Sequence, residues 1–242
     1  MSRLSPFHRP PLSPSLDSNP MKHASTILTT LLASLSLAMA GEKPDLNADI
    51  DLDDPVKVEE RINGLIARLS ELRVKAPRLE VIDYKLLTVG GETNLSKLFG
   101  DKKKLLVIHN MGKECPYCTL WADGFNGILP HLEDAMSVVL VSTDTPEEQA
   151  AFAKGRGWRF RLASHKDLAY TAERTGNGMP GAAVYEKVGG KIFLKNQCLF
   201  DPGDIYCPMF PLLGLAGMEN KEWQPKFKYG PEGKAVDKAP AE

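Results

Sequence analysis

Apolar and polar positions alternate along this chain with periods that change from segment to segment. From Pro55 to about Lys75, Val58, Ile62, Leu65, Ile66, Leu69 and Leu72 recur at helical spacing, and Pro77 ends the pattern. This predicts an amphipathic helix that packs on the domain or on a partner. Residues 79–90 read as extended, and Thr93 to Phe99 as a short helical turn. A continuous apolar run, Leu105 to His109, reads as a buried strand, and Tyr117 to Leu132 as a helix. Val138 to Ser142 is a second apolar strand. Pro146 to Lys154 follows as a helix with Thr145 as its N-cap. Arg159 to Ala163 reads as a strand and Leu168 to Arg174 as a helix. Ala182 to Glu186 and Lys191 to Leu194 form a hairpin about Gly189-Gly190, and Ile205 to Leu215 is the last helix. Strands alternating with helices, then a hairpin and a helix, define an α/β domain with a mixed sheet.

The ends depart from this pattern. Residues 1–20 hold five prolines and no apolar periodicity, and read as disordered. Met21 opens a cationic start and a modest apolar run ending Ala38-Met39-Ala40, which reads as a signal peptide over 21–40. Translation is therefore expected to begin at Met21, and the protein to be exported, periplasmic or secreted, with no stable membrane insertion after cleavage. Residues 41–55 are an acidic linker, 56–217 the domain with its N-terminal helix, and 218–242 a flexible polar tail.

Composition narrows the function. The chain is 43% hydrophobic and 25% charged, so it is globular rather than disordered throughout. Its 30 basic and 31 acidic residues give a net charge of −1, which argues against nucleic acid as a partner. Four cysteines in 242 residues are too few for a disulfide-dense scaffold, so each invites its own explanation.

Cys115-Pro116-Tyr117-Cys118 follows the 105–109 strand and opens a helix. There a cysteine meets free N–H groups and the positive end of the helix dipole, both of which favour thiolate. Cys118, one turn on, lies on the same face and can resolve a mixed disulfide formed at Cys115. Zinc would want four ligands in close pairs, which Cys198 and Cys207 match poorly. A purely structural bridge inside so small a loop would stabilise little. Lys113 would favour the Cys115 thiolate and Glu114 would oppose it. His109 is a candidate proton acceptor for Cys118, or a partly buried histidine ending a strand. Cys198 and Cys207 flank Asp201-Pro202-Gly203-Asp204, a turn that can bring their Cα atoms within disulfide reach, roughly 4.4–6.8 Å. A structural bridge is expected there, with a resolving role for one of them as the alternative.

Strand–CxxC–helix, then Gly178-Met179-Pro180-Gly181 before a hairpin, resembles the thioredoxin superfamily. The resemblance implies a cis Pro180 beside the CxxC, with Met179 offering backbone bonds to an extended substrate. Leu98 to Gly100, Leu105 to Asn110, Glu114 to Gly127 and Pro130 to Leu132 together are similar to an uncharacterised bacterial thioredoxin-like family near the alkyl-hydroperoxide-reductase branch. That likeness runs from about 56 to 217. Ser142 to Glu148, with Phe152 and Gly157, is also similar to peroxiredoxins. The peroxiredoxin Pro-x-x-x-Thr-x-x-Cys pattern is absent: Ile108 and Gly112 hold those places ahead of Cys115, and Met111 and Cys115 ahead of Cys118. Glu114 stands where thioredoxins carry Trp, and His109 where they bury a carboxylate.

The expected function is thiol–disulfide exchange, with a protein or low-molecular-weight thiol or disulfide as partner and no cofactor or metal. A thiol peroxidase using Cys115, or a redox-inert binding module on the same fold, are the alternatives.

Overall fold

The computed structural model describes residues 51–174 and 179–229. The expected signal peptide, the residues before it, most of the acidic linker and residues 230–242 lie outside them. The chain divides at Gly64 into two units, 1–64 and 65–242. In the described part of the first, Asp54 opens helix α1 (Pro55–Lys75), its carboxylate accepting from Val56 N at 3.0 Å.

The second unit holds the end of α1 and an eight-stranded mixed sheet. In chain order come β1 (Leu79–Val81), β2 (Lys85–Thr88), β3 (Gly91–Asn94), α2 (Leu95–Leu98), β4 (Lys104–His109), α3 (Pro116–Gly127) and α4 (Leu129–Ala135). They are followed by β5 (Ser137–Ser142), α5 (Pro146–Arg156), β6 (Arg161–Ser164), α6 (Ala169–Arg174), β7 (Gly181–Val188), β8 (Lys191–Leu199) and α7 (Met209–Leu215). The strand order is β1-β8-β7-β4-β5-β6-β2-β3. β4 runs parallel to β5 and antiparallel to β7, and β7 antiparallel to β8. With the CxxC following β4, this is the thioredoxin-like α/β arrangement that the sequence predicts.

Strand alternation sorts the core into two layers. Leu105, Val107, Val139, Val141, Ala183 and Tyr185 face one side, over α2 and Tyr170 of α6. Ile108, Val138 and Leu140 face the other, over Trp121 and Ala122 of α3, Leu129 of α4, and Phe210 and Leu213 of α7. The α3 helix therefore covers one face of β4 only.

The expected helix 117–132 is two helices. Pro130 lies in the first turn of α4, has no N–H to continue the ladder of α3, and the chain turns at Ile128 (φ −101°, ψ 8°). The last helix starts four residues later than expected. The Asp204 carboxylate takes the N–H groups of Tyr206 and Cys207 at 2.8 and 3.1 Å, and Pro208 then caps α7. Helix α5 has the expected Thr145 cap, completed as a reciprocal box with Glu148.

Of the two expectations for the apolar stripe of α1, packing on the domain is not met from Leu65 onward, where Leu65 and Leu72 are each 49% exposed. The end of the helix is held instead by polar contacts. Arg73 donates to the Tyr206 hydroxyl at 2.7 Å, and Lys195 Nζ donates to the carbonyls of Val74 and Ala76 at 2.9 and 2.5 Å. Residues 218–229 of the expected tail also touch the domain. Trp223 packs on the α3 layer, and the Phe227 carbonyl accepts from Arg156 at 2.7 Å.

Candidate active site

The site is built at the end of β4, where the chain leaves the sheet and re-enters as α3. Cys115 is the N-cap of α3, with extended backbone (φ −96°, ψ 103°), and Pro116 occupies the first turn, where no N–H donor is needed. The Cys115 sulfur accepts from Cys118 N at 3.1 Å. It is half-buried, while Cys118 is buried beneath it. All four cysteines are free thiols in this structure.

The two thiols face each other and split their acidities. The Cys118 S–H donates to Cys115, which with the N–H groups of Cys118 and Tyr117 holds the Cys115 thiol down at about 6. The same contact, with burial, pushes Cys118 far upward. Neither Lys113 nor Glu114 is the cause. The Lys113 ammonium donates to Glu148 Oε1 at 2.8 Å instead, raising its own affinity for a proton and lowering that of Glu148.

His109 does not serve Cys118. As an odd-numbered position on β4 it faces the layer opposite to α3, where Nε2 meets the Tyr170 hydroxyl at 2.7 Å. Tyr170 in turn meets the Tyr185 hydroxyl at 3.2 Å, and His165 Nδ1 meets Thr171 Oγ1 at 3.0 Å. Burial, helped by His165, lowers His109 to about 3, and burial lowers His165 to about 4. Both imidazoles are neutral at pH 7.

Met179 and Pro180 directly precede β7. Gly181 pairs with His109, so Met179-Pro180 and Asn110 to Cys115 run off the same end of the sheet. Pro180 is buried and Met179 exposed. The expected cis bond is not found: no peptide bond among the described residues is cis. The Pro180 carbonyl accepts from Phe200 N at 2.9 Å, which ties this segment to the end of β8. Gly181 is required at this point, because a Cβ there would stand 2.3 Å from the Cys198 carbonyl oxygen.

The expected Cys198–Cys207 bridge is not formed. The Cys198 thiol is directed to the Tyr206 hydroxyl, whose own proton is held more tightly through burial and that contact. Cys207 is set in the α3 layer by the Asp204 carboxylate that takes its N–H, and burial raises its thiol pKa. Among the described residues no group of three or more His, Cys, Asp or Glu side chains gathers as a metal site. No helix there is long and apolar enough to cross a membrane.

A set of residues to which the sequence assigns no site role holds the loop before Cys115. Asn110 Oδ1 accepts from Gly112 N at 2.8 Å, and Thr143 Oγ1 donates to the Met111 carbonyl at 3.2 Å. Asp144 Oδ2 accepts from Lys113 N at 2.9 Å. The signal for them was the Ser142-Thr143-Asp144-Thr145-Pro146 run, which marks a strand end and a helix cap without saying what its side chains reach.

A thioredoxin-like domain with a dithiol at the head of the helix after its central strand is thus the class of protein defined here. The chain belongs to the family described as "Bacterial protein of unknown function (DUF899)", whose profile matches residues 56–222. No curated protein matches. Among solved structures, a hypothetical protein from Sinorhizobium meliloti 1021 is 19% identical, with 62% of this chain and 90% of that one covered, at a TM-score of 0.42. Xanthomonas campestris Peroxiredoxin Q is 21% identical over 50% of this chain and 85% of its own, at 0.41. Reduced Prx3 from Vibrio vulnificus is 14% identical over 58% and 98%, at 0.45.

Proposed function

We propose that this protein is a thiol–disulfide oxidoreductase acting through Cys115 and Cys118. The observation that carries the reading is the asymmetry of the pair: a half-exposed sulfur receiving the Cys118 N–H at 3.1 Å, above a buried thiol that donates to it. The Cys115 thiolate attacks one sulfur of a substrate disulfide and expels the other as a thiolate, leaving a mixed disulfide. Forming that bond removes the Cys115 charge and hydrogen bond that hold the Cys118 proton. Cys118 then loses its proton to solvent and attacks Cys115, closing the Cys115–Cys118 disulfide and releasing the second substrate thiolate. Two electrons pass from the pair to the substrate, and the reverse sequence oxidises a substrate dithiol.

Met179 and Pro180, at the same end of the sheet, are the proposed edge of the substrate groove. The partner that resets the pair is a protein or low-molecular-weight thiol or disulfide. The 21–40 segment favours an oxidising compartment as the place of action.

The test is the redox equilibrium of Cys115 and Cys118 against defined glutathione and dithiothreitol potentials, read by alkylation and mass spectrometry. A reversible midpoint is expected between roughly −270 mV, a reductant, and roughly −120 mV, an oxidant. A pair that never cycles overturns the reading in favour of a binding module. Peroxide consumption that disappears in Cys115→Ser, without disulfide exchange, replaces it with a thiol peroxidase.

A further inference from the structure

Between β4 and Cys115 the chain makes a loop held by its own backbone, by Asn110 and by two side chains from the end of β5, Thr143 and Asp144. The Met111 carbonyl accepts from Thr143, Gly112 N donates to Asn110 Oδ1, and Lys113 N donates to Asp144 Oδ2. Cys115 N then donates to the Gly112 carbonyl at 3.1 Å, closing a turn that ends on the nucleophile. Asp144 lies against this turn from outside. Its carboxylate also accepts from Ser142 Oγ at 3.1 Å, and the Ser164 hydroxyl donates to its carbonyl at 2.5 Å, so it is fixed by β5 and β6. The fit is tight: Gly112 sits at φ +119°, and a Cβ there would lie 3.0 and 3.2 Å from the two Asp144 oxygens.

We propose that Asp144 is a positioning residue for Cys115: its carboxylate locks the Gly112–Cys115 turn and so fixes the sulfur over the Tyr117 and Cys118 N–H groups. The proposal rests on the oxidoreductase reading for its meaning, and it adds a residue from another element to that site. Asp144 acts through the backbone. The charged side chains beside the turn are Lys113, already paired with Glu148, and Glu114, and neither sets the acidity of Cys115. The turn residue that Asp144 grips, Lys113, is two positions before the nucleophile. A slack turn would let Cys115 rotate away from donors that count only when aligned.

The experiment follows the rate of Cys115 alkylation against pH in the full chain, with the Cys115 peptide resolved by mass spectrometry. Wild type, Asp144→Ala and Asp144→Asn are compared, each checked by circular dichroism. Asp144→Ala is expected to move the midpoint up by about one pH unit, a tenfold loss of thiolate at pH 5. Asp144→Asn keeps an oxygen that Lys113 N can reach and is expected to restore the wild-type midpoint. If Asp144→Ala does not fold, Asp144→Ser, one bond too short to reach Lys113 N, takes its place with the same expectation. A low wild-type midpoint unchanged in folded Asp144→Ala or Asp144→Ser overturns the proposal alone, as does failure of Asp144→Asn to restore it. A wild-type Cys115 that titrates as an ordinary thiol, near about 8.5, overturns the oxidoreductase reading as well.

Discussion

His109 Nε2 meets the Tyr170 hydroxyl at 2.7 Å on the face of the sheet opposite to the helix that carries Cys115 and Cys118. The histidine is therefore a stability element, and its titration has a definite sign. His109 and His165 bind protons more weakly in the fold, near about 3 and about 4, than in the unfolded chain, near about 6.5. Between those values the unfolded state holds more protons, so stability is full above pH 6.5 and falls as the pH drops. Urea unfolding at pH 7 and pH 5 is expected to show a loss approaching about 1.4 kcal/mol per pH unit for each histidine. A His109→Gln protein is expected to show a shallower dependence, and an unchanged slope contradicts the assignment.

The Cys118 thiol is the first cause of the low Cys115 value. Cys118→Ala removes that donor and is expected to raise the Cys115 alkylation midpoint by about one pH unit, whereas Cys118→Ser keeps a hydroxyl donor and shifts it less. Cys118→Ser is also expected to accumulate the mixed disulfide with a model substrate, visible as a mass adduct on Cys115.

Gly181 marks the closest backbone approach at the end of the β7–β8 ladder. A methyl group 2.3 Å from the Cys198 carbonyl oxygen cannot be housed without parting the strands. Gly181→Ala is expected to destabilise the domain by about 1–3 kcal/mol in denaturant unfolding. A midpoint equal to wild type means the strands give way freely.

Asp204 gathers three donors on one oxygen, from Trp121 Nε1 at 3.3 Å, Tyr206 N at 2.8 Å and Cys207 N at 3.1 Å. Asp204→Ala is expected to weaken folding by about 1–3 kcal/mol and to speed labelling of Cys207, which wild type keeps buried. Labelling at the wild-type rate argues that the core alone holds that thiol.

The central strands were legible in the sequence because they are short apolar runs buried on both faces, and the Thr145 cap because its partner is three residues away. What escaped depended on distance along the chain. His109 is a candidate base for Cys118 because an imidazole titrates near neutral pH, yet strand alternation sends its ring to the other side of the sheet. The Asp144–Lys113 contact joins two strand ends that only parallel pairing of β4 and β5 brings together. The Cys198–Cys207 expectation followed from a turn-rich spacing. The Asp204 carboxylate and the Tyr206 hydroxyl, which direct the two side chains, leave no mark in that spacing. The end of α1 is held by Arg73 and Lys195, charges that a hydrophobic pattern does not weigh.

The sheet is one strand layer thick, and it parts two chemistries. The thiols belong to the α3 side, while the neutral imidazoles and the hydroxyls of Tyr170 and Tyr185 belong to the other. The acid sensitivity of the fold and the acidity of Cys115 therefore arise on separate faces of the sheet. Substitution on one face is expected to move the pH dependence of unfolding and leave the Cys115 alkylation midpoint where it is, because the side chains that set one do not reach through the strands to the other.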